Sequence, residues 1–433
     1  MTEFVQVYRT DFNIERSDRK ITTDFGQFEK VFADNDFGFY FFASLGRLYR
    51  FSKSEEAELK KNGKILSGIN RTPKFFKEIQ NSIKSARMKK LHVFPTTSCN
   101  ARCTYCYAKP ENDGIRLELK TAKKAIDFIG CGNGLELYFH GGGEPLTERK
   151  LVEEIVDYAR GKYRNLKVFV QSNGLMDKET MDWVLRNVDR IAISCDGPAD
   201  IQNTQRPLAN GQEGSELVEE NIRFFVESKI GFHVMSTITM RSVSRIEEVV
   251  EYFHTLGVKA LGVNPVIVSG GHGIDLDLFG KNFLKARLLA DSFEMLLFST
   301  QMFSIHRGKA QGCGFPSIMF CLTPDGFVSN CYETVSSKRG PQEFLYGRFN
   351  GEEFEFDEEK IERMKQRKVE NLPYCKECIL RWTCAGGCAA YSLNETGDFL
   401  GQPKEKCRIK QDMLRDYLVH LSKNYFSKTI EAK

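Results

Sequence analysis

The chain of 433 residues is long enough for two or three domains with sizeable cores, and an apolar content of 41% excludes a disordered protein. Its 62 basic and 58 acidic residues leave a formal net charge of +4, too balanced for the footprint of a nucleic-acid binder. Met1–Thr10 is polar and lacks the apolar core of a secretory signal, and no stretch approaches the roughly 20 apolar residues of a membrane span, so a soluble cytoplasmic protein is expected.

Residues 1–85 read as a small α+β module. Two β-like runs, Gly38–Ala43 and Arg47–Phe51, flank a turn at Ser44–Gly46. Ser52–Glu55 reads as a helix start, and Asn70–Lys90 as a helical connector. From Leu91 short apolar runs alternate with amphipathic segments. Strands are expected at Leu91–Pro95, Leu135–His140, Val168–Gln171, Ile191–Ser194, His233–Ile238 and Ala260–Asn264. Helices are expected between them at Thr121–Ile129, Glu148–Ala159, Lys178–Asn187, Gly214–Ser228 and Ser244–Leu256, followed by one at Lys281–Ser299. Such β-then-α units imply a parallel α/β sheet with right-handed crossovers. Periodicity alone leaves an open doubly wound sheet and a partial barrel both standing.

The alternation stops near residue 304. Residues 305–433 are rich in Gly, Pro and Asp turns and hold eight of the chain's 13 cysteines. A loop-rich segment of this length needs staples, which metal-bound cysteines can supply. Cysteines clustered at short spacings in a long chain without a signal peptide argue for metal ligation over disulfides. A final amphipathic helix opens at Cys407 and runs to about Phe426. No internal repeat or low-complexity tract is present.

Just after the first strand of the expected sheet stands CNARCTYC, with Cys99, Cys103 and Cys106. Three thiolates at this spacing can hold three irons of a 4Fe–4S cluster and leave the fourth open to a ligand. Zinc is the alternative for such a set. Three glycine-rich or polar turns follow at strand ends: GGGEP at Gly141–Pro145, QSNG at Gln171–Gly174 and SCDGP at Ser194–Pro198. Cys131 and Cys195 have no partner spacing and read as small core residues.

The three-cysteine motif, with Tyr105 before its last cysteine, resembles the signature of the radical S-adenosylmethionine (SAM) superfamily, and the three turns follow in that family's order. The resemblance implies a partial (β/α)6 barrel over residues 86–304. It implies that SAM chelates the open iron and is cleaved by one electron to a 5′-deoxyadenosyl radical, which takes a hydrogen atom from the substrate. By the same resemblance Gly142, Gly143 and Glu144 contact the SAM amino group. Ser172 and Asn173 contact the ribose or form an ordinary strand-to-helix turn. Ser194 and Asp196 line the site or form a plain turn. Arg206 pairs with a carboxylate of SAM or substrate or is solvated, and Asn264 borders the adenine.

Downstream, Cys313, Cys331, Cys375, Cys378, Cys384, Cys388 and Cys407 follow the seven-cysteine SPASM pattern, and Cys321 adds an eighth thiol. Eight thiolates suffice for two fully ligated 4Fe–4S clusters, with two zinc sites as the alternative. The resemblance assigns Cys313, Cys321, Cys331 and Cys388 to an inner auxiliary cluster. It assigns Cys375, Cys378, Cys384 and Cys407 to an outer one. Three 4Fe–4S clusters and SAM are therefore the expected cofactors. A peptide or protein substrate and a low-potential donor such as a flavodoxin or ferredoxin are the expected partners, with no nucleic acid and no membrane.

SPASM enzymes modify peptides and proteins, and crosslink formation in a ribosomal peptide is the reaction expected here. Sulfatase maturation to formylglycine is the alternative, and a multi-cluster electron carrier a remote one. The sulfatase branch has an Asp base directly after the inner-cluster cysteine. Here Cys331 is followed by Tyr332 and Glu333. Either could take a proton in its place, Glu333 being otherwise a surface acid. The module at 1–85 is expected to bind a leader peptide at a strand edge, such as that of Gly38–Ala43 or Arg47–Phe51, or to cap the barrel.

Overall fold

The computed structural model describes residues 3–6, 28–33, 37–42, 47–54, 57, 89–109, 114–129, 134–266, 273–302, 314–376 and 378–430. The expected turn at Ser44–Gly46, the connector from Asn70 to Met88, Cys131 and Cys313 lie outside these residues, as does most of the helix expected after Ser52.

Four strands, β1 (Glu3–Gln6), β2 (Phe28–Ala33), β3 (Phe37–Phe42) and β4 (Arg47–Ser52), form an antiparallel sheet in the order β1-β4-β3-β2. The two runs expected from sequence are β3 and β4, joined as a hairpin that pairs Phe42 with Arg47. They occupy the middle of the sheet. A peptide cannot add to either, because each already has a neighbour on both sides. Among the described residues the edges belong to β1 and β2, and β2 lies beside the C-terminal helix.

The second sheet has 11 strands. It begins with β5 (Lys89–Val93), β6 (Leu135–Phe139), β7 (Leu166–Ser172), β8 (Arg190–Ser194), β9 (Gly231–Ile238), β10 (Ala260–Pro265) and β11 (Leu296–Phe298). Each pairs in parallel with the next in sequence order. A doubly wound sheet would reverse its strand order at a switch point. This sequential order is that of a partial barrel and decides the question that periodicity left open.

Helices α1 (Leu119–Ile129), α2 (Arg149–Lys162), α3 (Lys178–Asn187), α4 (Ala199–Gln205), α5 (Ser215–Glu227), α6 (Ile246–Thr255) and α7 (Leu276–Ser292) cover the outer face. In α2, Leu151, Val152, Ile155, Val156 and Ala159 recur at helical spacing and are buried. They meet the outward residues of the strands, such as Leu135, Leu137 and Phe139 of β6, which alternate with Glu136 and Tyr138 on the lumen side. Asp177 caps α3 by accepting from Thr180 N at 2.8 Å.

The helix expected at Lys281–Ser299 is displaced. Asp275 caps it by accepting from Leu278 N at 2.9 Å, so it starts at Leu276. Its expected last turn is instead β11, paired with β10 from Ala260–Leu296 onward.

Beyond the barrel, β12 (Cys321–Leu322) pairs in parallel with β5, and β13 (Phe327–Ser329), β14 (Leu345–Phe349) and β15 (Phe354–Phe356) continue antiparallel from it. The C-terminal region thus extends the barrel sheet. It sets Cys321 in register with His92 on one face. Helices α8 (Glu358–Lys365), α9 (Arg381–Cys384), α10 (Ala389–Thr396) and α11 (Lys404–Ile430) complete the chain. The last is tied back to α7 by Arg408 on Asp277 at 2.7 Å.

Candidate active site

The loop after β5 carries Cys99, Cys103 and Cys106 and is bolted to the chain after α4. Arg102 N donates to Pro207 O at 2.8 Å, Thr104 N to Gln205 O at 2.9 Å and Ala209 N to Asn100 O at 2.9 Å. On its other flank, Glu144 N donates to Ser98 O at 2.8 Å. Gly143 stands so close to this loop that a Cβ would come within 2.7 Å of Ser98 C and 2.8 Å of Ser98 N. A Cβ on Gly142 would strike Val335 Cβ at 2.7 Å. The glycines of GGGEP are therefore required by the packing of one loop on another, a reason that the sequence alone did not reveal.

Burial pushes the Cys99 thiol up to about 12, helped by Glu144 and opposed by the Ala101 N–H. Cys103 is also raised by burial, while Arg206 acts against the shift. Buried thiols remain protonated unless a cation compensates the thiolate, and iron supplies that compensation. Cys99, Cys103 and Cys106 are not joined in a disulfide. Among the described residues no three Cys, His, Asp or Glu close around a single metal ion; a multi-iron cluster binds its thiolates to different irons. The donor set fits such a cluster.

Glu144 is buried, and its two oxygens accept from Asn173 N at 2.7 Å and Leu146 N at 3.2 Å. Burial raises its carboxyl above the ordinary range, and these N–H groups oppose the shift. Asn173 Nδ2 donates to Asn100 Oδ1 at 2.7 Å and lies 3.8 Å from Cys99 Sγ. Ser172 Oγ accepts from Gly174 N at 3.1 Å. The first and second turns are thus linked directly to the cysteine loop.

Asp196 is 0% exposed, and its carboxylate accepts three hydrogen bonds beside one ion pair. Tyr105 OH and Gln205 Nε2 reach Oδ2 at 2.7 Å each, Thr237 N reaches Oδ1 at 3.0 Å, and Arg206 Nη1 stands 3.9 Å from Oδ1. Arg206 Nη1 also donates to Tyr105 OH at 2.6 Å. Burial alone would weaken the Arg206 charge, but Tyr105, Cys103 and Asp196 more than restore it. Arg206 is not a solvated surface group; it anchors the segment on which the cysteine loop rests. Ser194 Oγ, at the end of β8, accepts from Gln171 Nε2 at 2.7 Å. Asn264 Oδ1 is occupied by Ser299 Oγ at 3.0 Å and by Thr300 N at 2.9 Å, so it holds the exit from β11.

On the opposite wall, Tyr332 OH pairs with His92 Nδ1 at 2.7 Å, and its ring stacks on His140 at 4.4 Å. His92 stacks in turn on Tyr138 at 4.6 Å, and Tyr138 on Phe169 at 4.5 Å. Burial holds His92 near 3 and His140 near 4, so both imidazoles are neutral. Burial also raises the Glu333 carboxyl, opposed by Lys406; Glu333 is half-buried, not a surface acid. His92 and His140 were not singled out in the sequence. Only their place beside GGGEP and on the first strand could have flagged them.

Farther out, burial raises the Cys375 thiol, and the thiols of Cys384, Cys378 and Cys407 add to the shift. Cys195 is buried beside Gly197 O.

A family model described as the radical SAM superfamily matches residues 93–242. An uncharacterized protein of Methanocaldococcus jannaschii is 32% identical over 178 residues, which cover 40% of this chain and 61% of that protein. A cysteine-type anaerobic sulfatase-maturating enzyme of Clostridium perfringens is 25% identical over 333 residues, covering 69% of this chain and 88% of the relative. In fold the chain is similar to native anSMEcpe with bound AdoMet and a peptide, with a TM-score of 0.61 at 18% identity, over 78% of this chain and 100% of that one. It is also similar to Streptococcus suis SuiB bound to precursor peptide SuiA, with a TM-score of 0.51 at 13% identity, over 86% and 98% of the two chains.

Proposed function

The chain belongs to the radical SAM superfamily, and from that membership we propose that it is a maturase that abstracts a hydrogen atom from a peptide or protein substrate. SAM and 4Fe–4S clusters are typical of the superfamily; when bound, they supply one-electron cleavage of a carbon–sulfur bond and the hydrogen abstraction that follows. The observation that carries the reading is the three-cysteine loop clamped between GGGEP and the chain after α4.

In this reading Cys99, Cys103 and Cys106 hold the first cluster. The turn at Gly142–Glu144 offers acceptors to the SAM amino group. Ser172, Asn173 and Ser194 border the ligand. Tyr105, Asp196 and Arg206 hold the cysteine loop in place, and Asn264 fixes the far strand. Cys313, Cys321, Cys331 and Cys388 hold an inner auxiliary cluster, and Cys375, Cys378, Cys384 and Cys407 an outer one. Three units serve these roles: 1–85, 86–304 and 305–433.

Crosslink formation in a ribosomal peptide is the reaction we propose. Tyr332, held by His92, stands where the sulfatase branch has its Asp, which weighs against formylglycine formation. Sulfatase maturation remains the second reading, favoured by the Clostridium relative's coverage. Relatives of known fold were solved with peptides. The strand edge proposed for a leader peptide is β1, since β3 and β4 are internal and β2 faces the C-terminal helix. The test is anaerobic SAM cleavage by the reconstituted protein with a low-potential reductant. It is expected in the wild type and absent when Cys99, Cys103 and Cys106 are replaced by Ala. Intact SAM in both would refute the reading.

A further inference from the structure

Three polar side chains converge on the four outer thiols. Lys410 Nζ donates to Cys384 Sγ at 3.3 Å, and Gln411 Nε2 donates to Cys378 Sγ at 3.4 Å. Both follow Cys407 on α11 by one turn, so thiol, amine and amide share a helix face. Lys410 is 4% exposed. Gly387, at the left-handed φ of +71°, lies beside this pair, where a Cβ would stand in ordinary contact with Lys410 Nζ at 3.4 Å and Cys384 Sγ at 3.5 Å.

The third side chain is Arg367, 2% exposed. Its Nη2 donates to Gly386 O at 2.9 Å, Cys388 O at 3.2 Å and Ser392 Oγ at 2.9 Å. Its Nη1 is buried and has no hydrogen-bond partner among the described residues. The guanidinium charge acts on Cys375 and Cys407. A buried charged donor left without an acceptor is costly. A cluster carrying negative charge and sulfide acceptors would take up this one.

We infer that Arg367, Lys410 and Gln411 form a donor set that compensates the negative charge of the outer cluster and raises its reduction potential. The inference rests on reading Cys375, Cys378, Cys384 and Cys407 as ligands of a 4Fe–4S cluster. Hydrogen bonds to the sulfurs and nearby charge are the protein's means of setting such potentials. The three residues act as positioning and tuning groups.

The test is an EPR-monitored redox titration of the anaerobically reconstituted full chain. Lys410→Met is expected to move one auxiliary-cluster transition to more negative potential. At a fixed poise, the ratio of reduced to oxidised cluster should fall at least tenfold, equivalent to about 59 mV for one electron. Lys410→Arg should restore most of the shift, and Gln411→Leu should give a smaller shift of the same sign. If Lys410→Met loses iron, the other two variants decide: a lowered potential in Gln411→Leu supports the inference, and unchanged potentials overturn it. Zinc at the four outer thiols of the wild type would overturn the inference together with the cluster reading. Full iron content with no shift in any variant would overturn the inference alone.

Discussion

Replacing Gly143 by Ala tests the clamp on the cysteine loop. The added Cβ would lie 2.7 Å from Ser98 C and 2.8 Å from Ser98 N, and nearer still to the carbonyl oxygen. All three are backbone atoms, so no side chain can swing aside. Ser98 O is already the acceptor for Glu144 N at 2.8 Å, and Cys99 follows directly. Inserting a methyl into packed structure costs about 1–3 kcal/mol where neighbours can adjust. Here the adjustment must move the backbone that carries Cys99, so a cost at or above the upper end is expected. Gly142→Ala meets Val335 Cβ at 2.7 Å, an atom fixed to the backbone of a buried residue, and should cost stability as well. The assay is iron per chain and SAM cleavage after reconstitution, with thermal unfolding alongside. Gly143→Ala should lose roughly a third of the iron, the share of one cluster in three, and most SAM cleavage. A Gly143→Ala protein with full iron and wild-type cleavage would falsify the packing argument.

Tyr105→Phe removes the phenol that bridges Arg206 and Asp196; it should lower stability by about 1–3 kcal/mol, read by denaturant unfolding. With Tyr332 in place of the sulfatase-branch base, the wild type should not convert Cys or Ser of a sulfatase-type peptide to formylglycine, and mass spectrometry checks this. A chain starting at Ala86 should keep its clusters and slow SAM cleavage but lose most modification of a full-length precursor. Equal modification by a soluble truncated enzyme would remove the leader-binding proposal. His233 is held down to about 4 by burial, with Arg190 adding to the shift. The neutral form is favoured in the fold, so its contribution is complete above about 6.5 and is lost as pH falls toward 4. His233→Gln should therefore lose less stability than the wild type between pH 7 and 4.5, and parallel acid-unfolding curves would refute this.

The barrel strands were legible because each is a short apolar run beside an amphipathic helix. Two limits on that reading have physical causes. Three-residue β11 carries no period of its own, and the end of α7 hid it. Strands β12, β13 and β15 are two or three residues long, and with five-residue β14 they continue the barrel sheet from β12, which pairs with β5. Strand order could not be read from periodicity, so β3 and β4 looked like free edges when they are interior. The cysteine motifs were legible from spacing alone. Their surroundings were not, because the contacts join distant segments: Tyr332 with His92, Gly143 with Ser98, and Lys410 with Cys384. Arg206 could be noticed in sequence, but its burial beside Asp196 and Tyr105 appears only once β8 and the cysteine loop are brought together.

The central claim is a radical SAM enzyme with three clusters, and metal analysis coupled to SAM cleavage on one anaerobic preparation tests it most directly. About 12 irons per chain are expected, with reductive cleavage of SAM that disappears, along with about a third of the iron, when Cys99, Cys103 and Cys106 become Ala. Stoichiometric zinc in place of iron, or SAM left intact under a low-potential reductant, would contradict the claim.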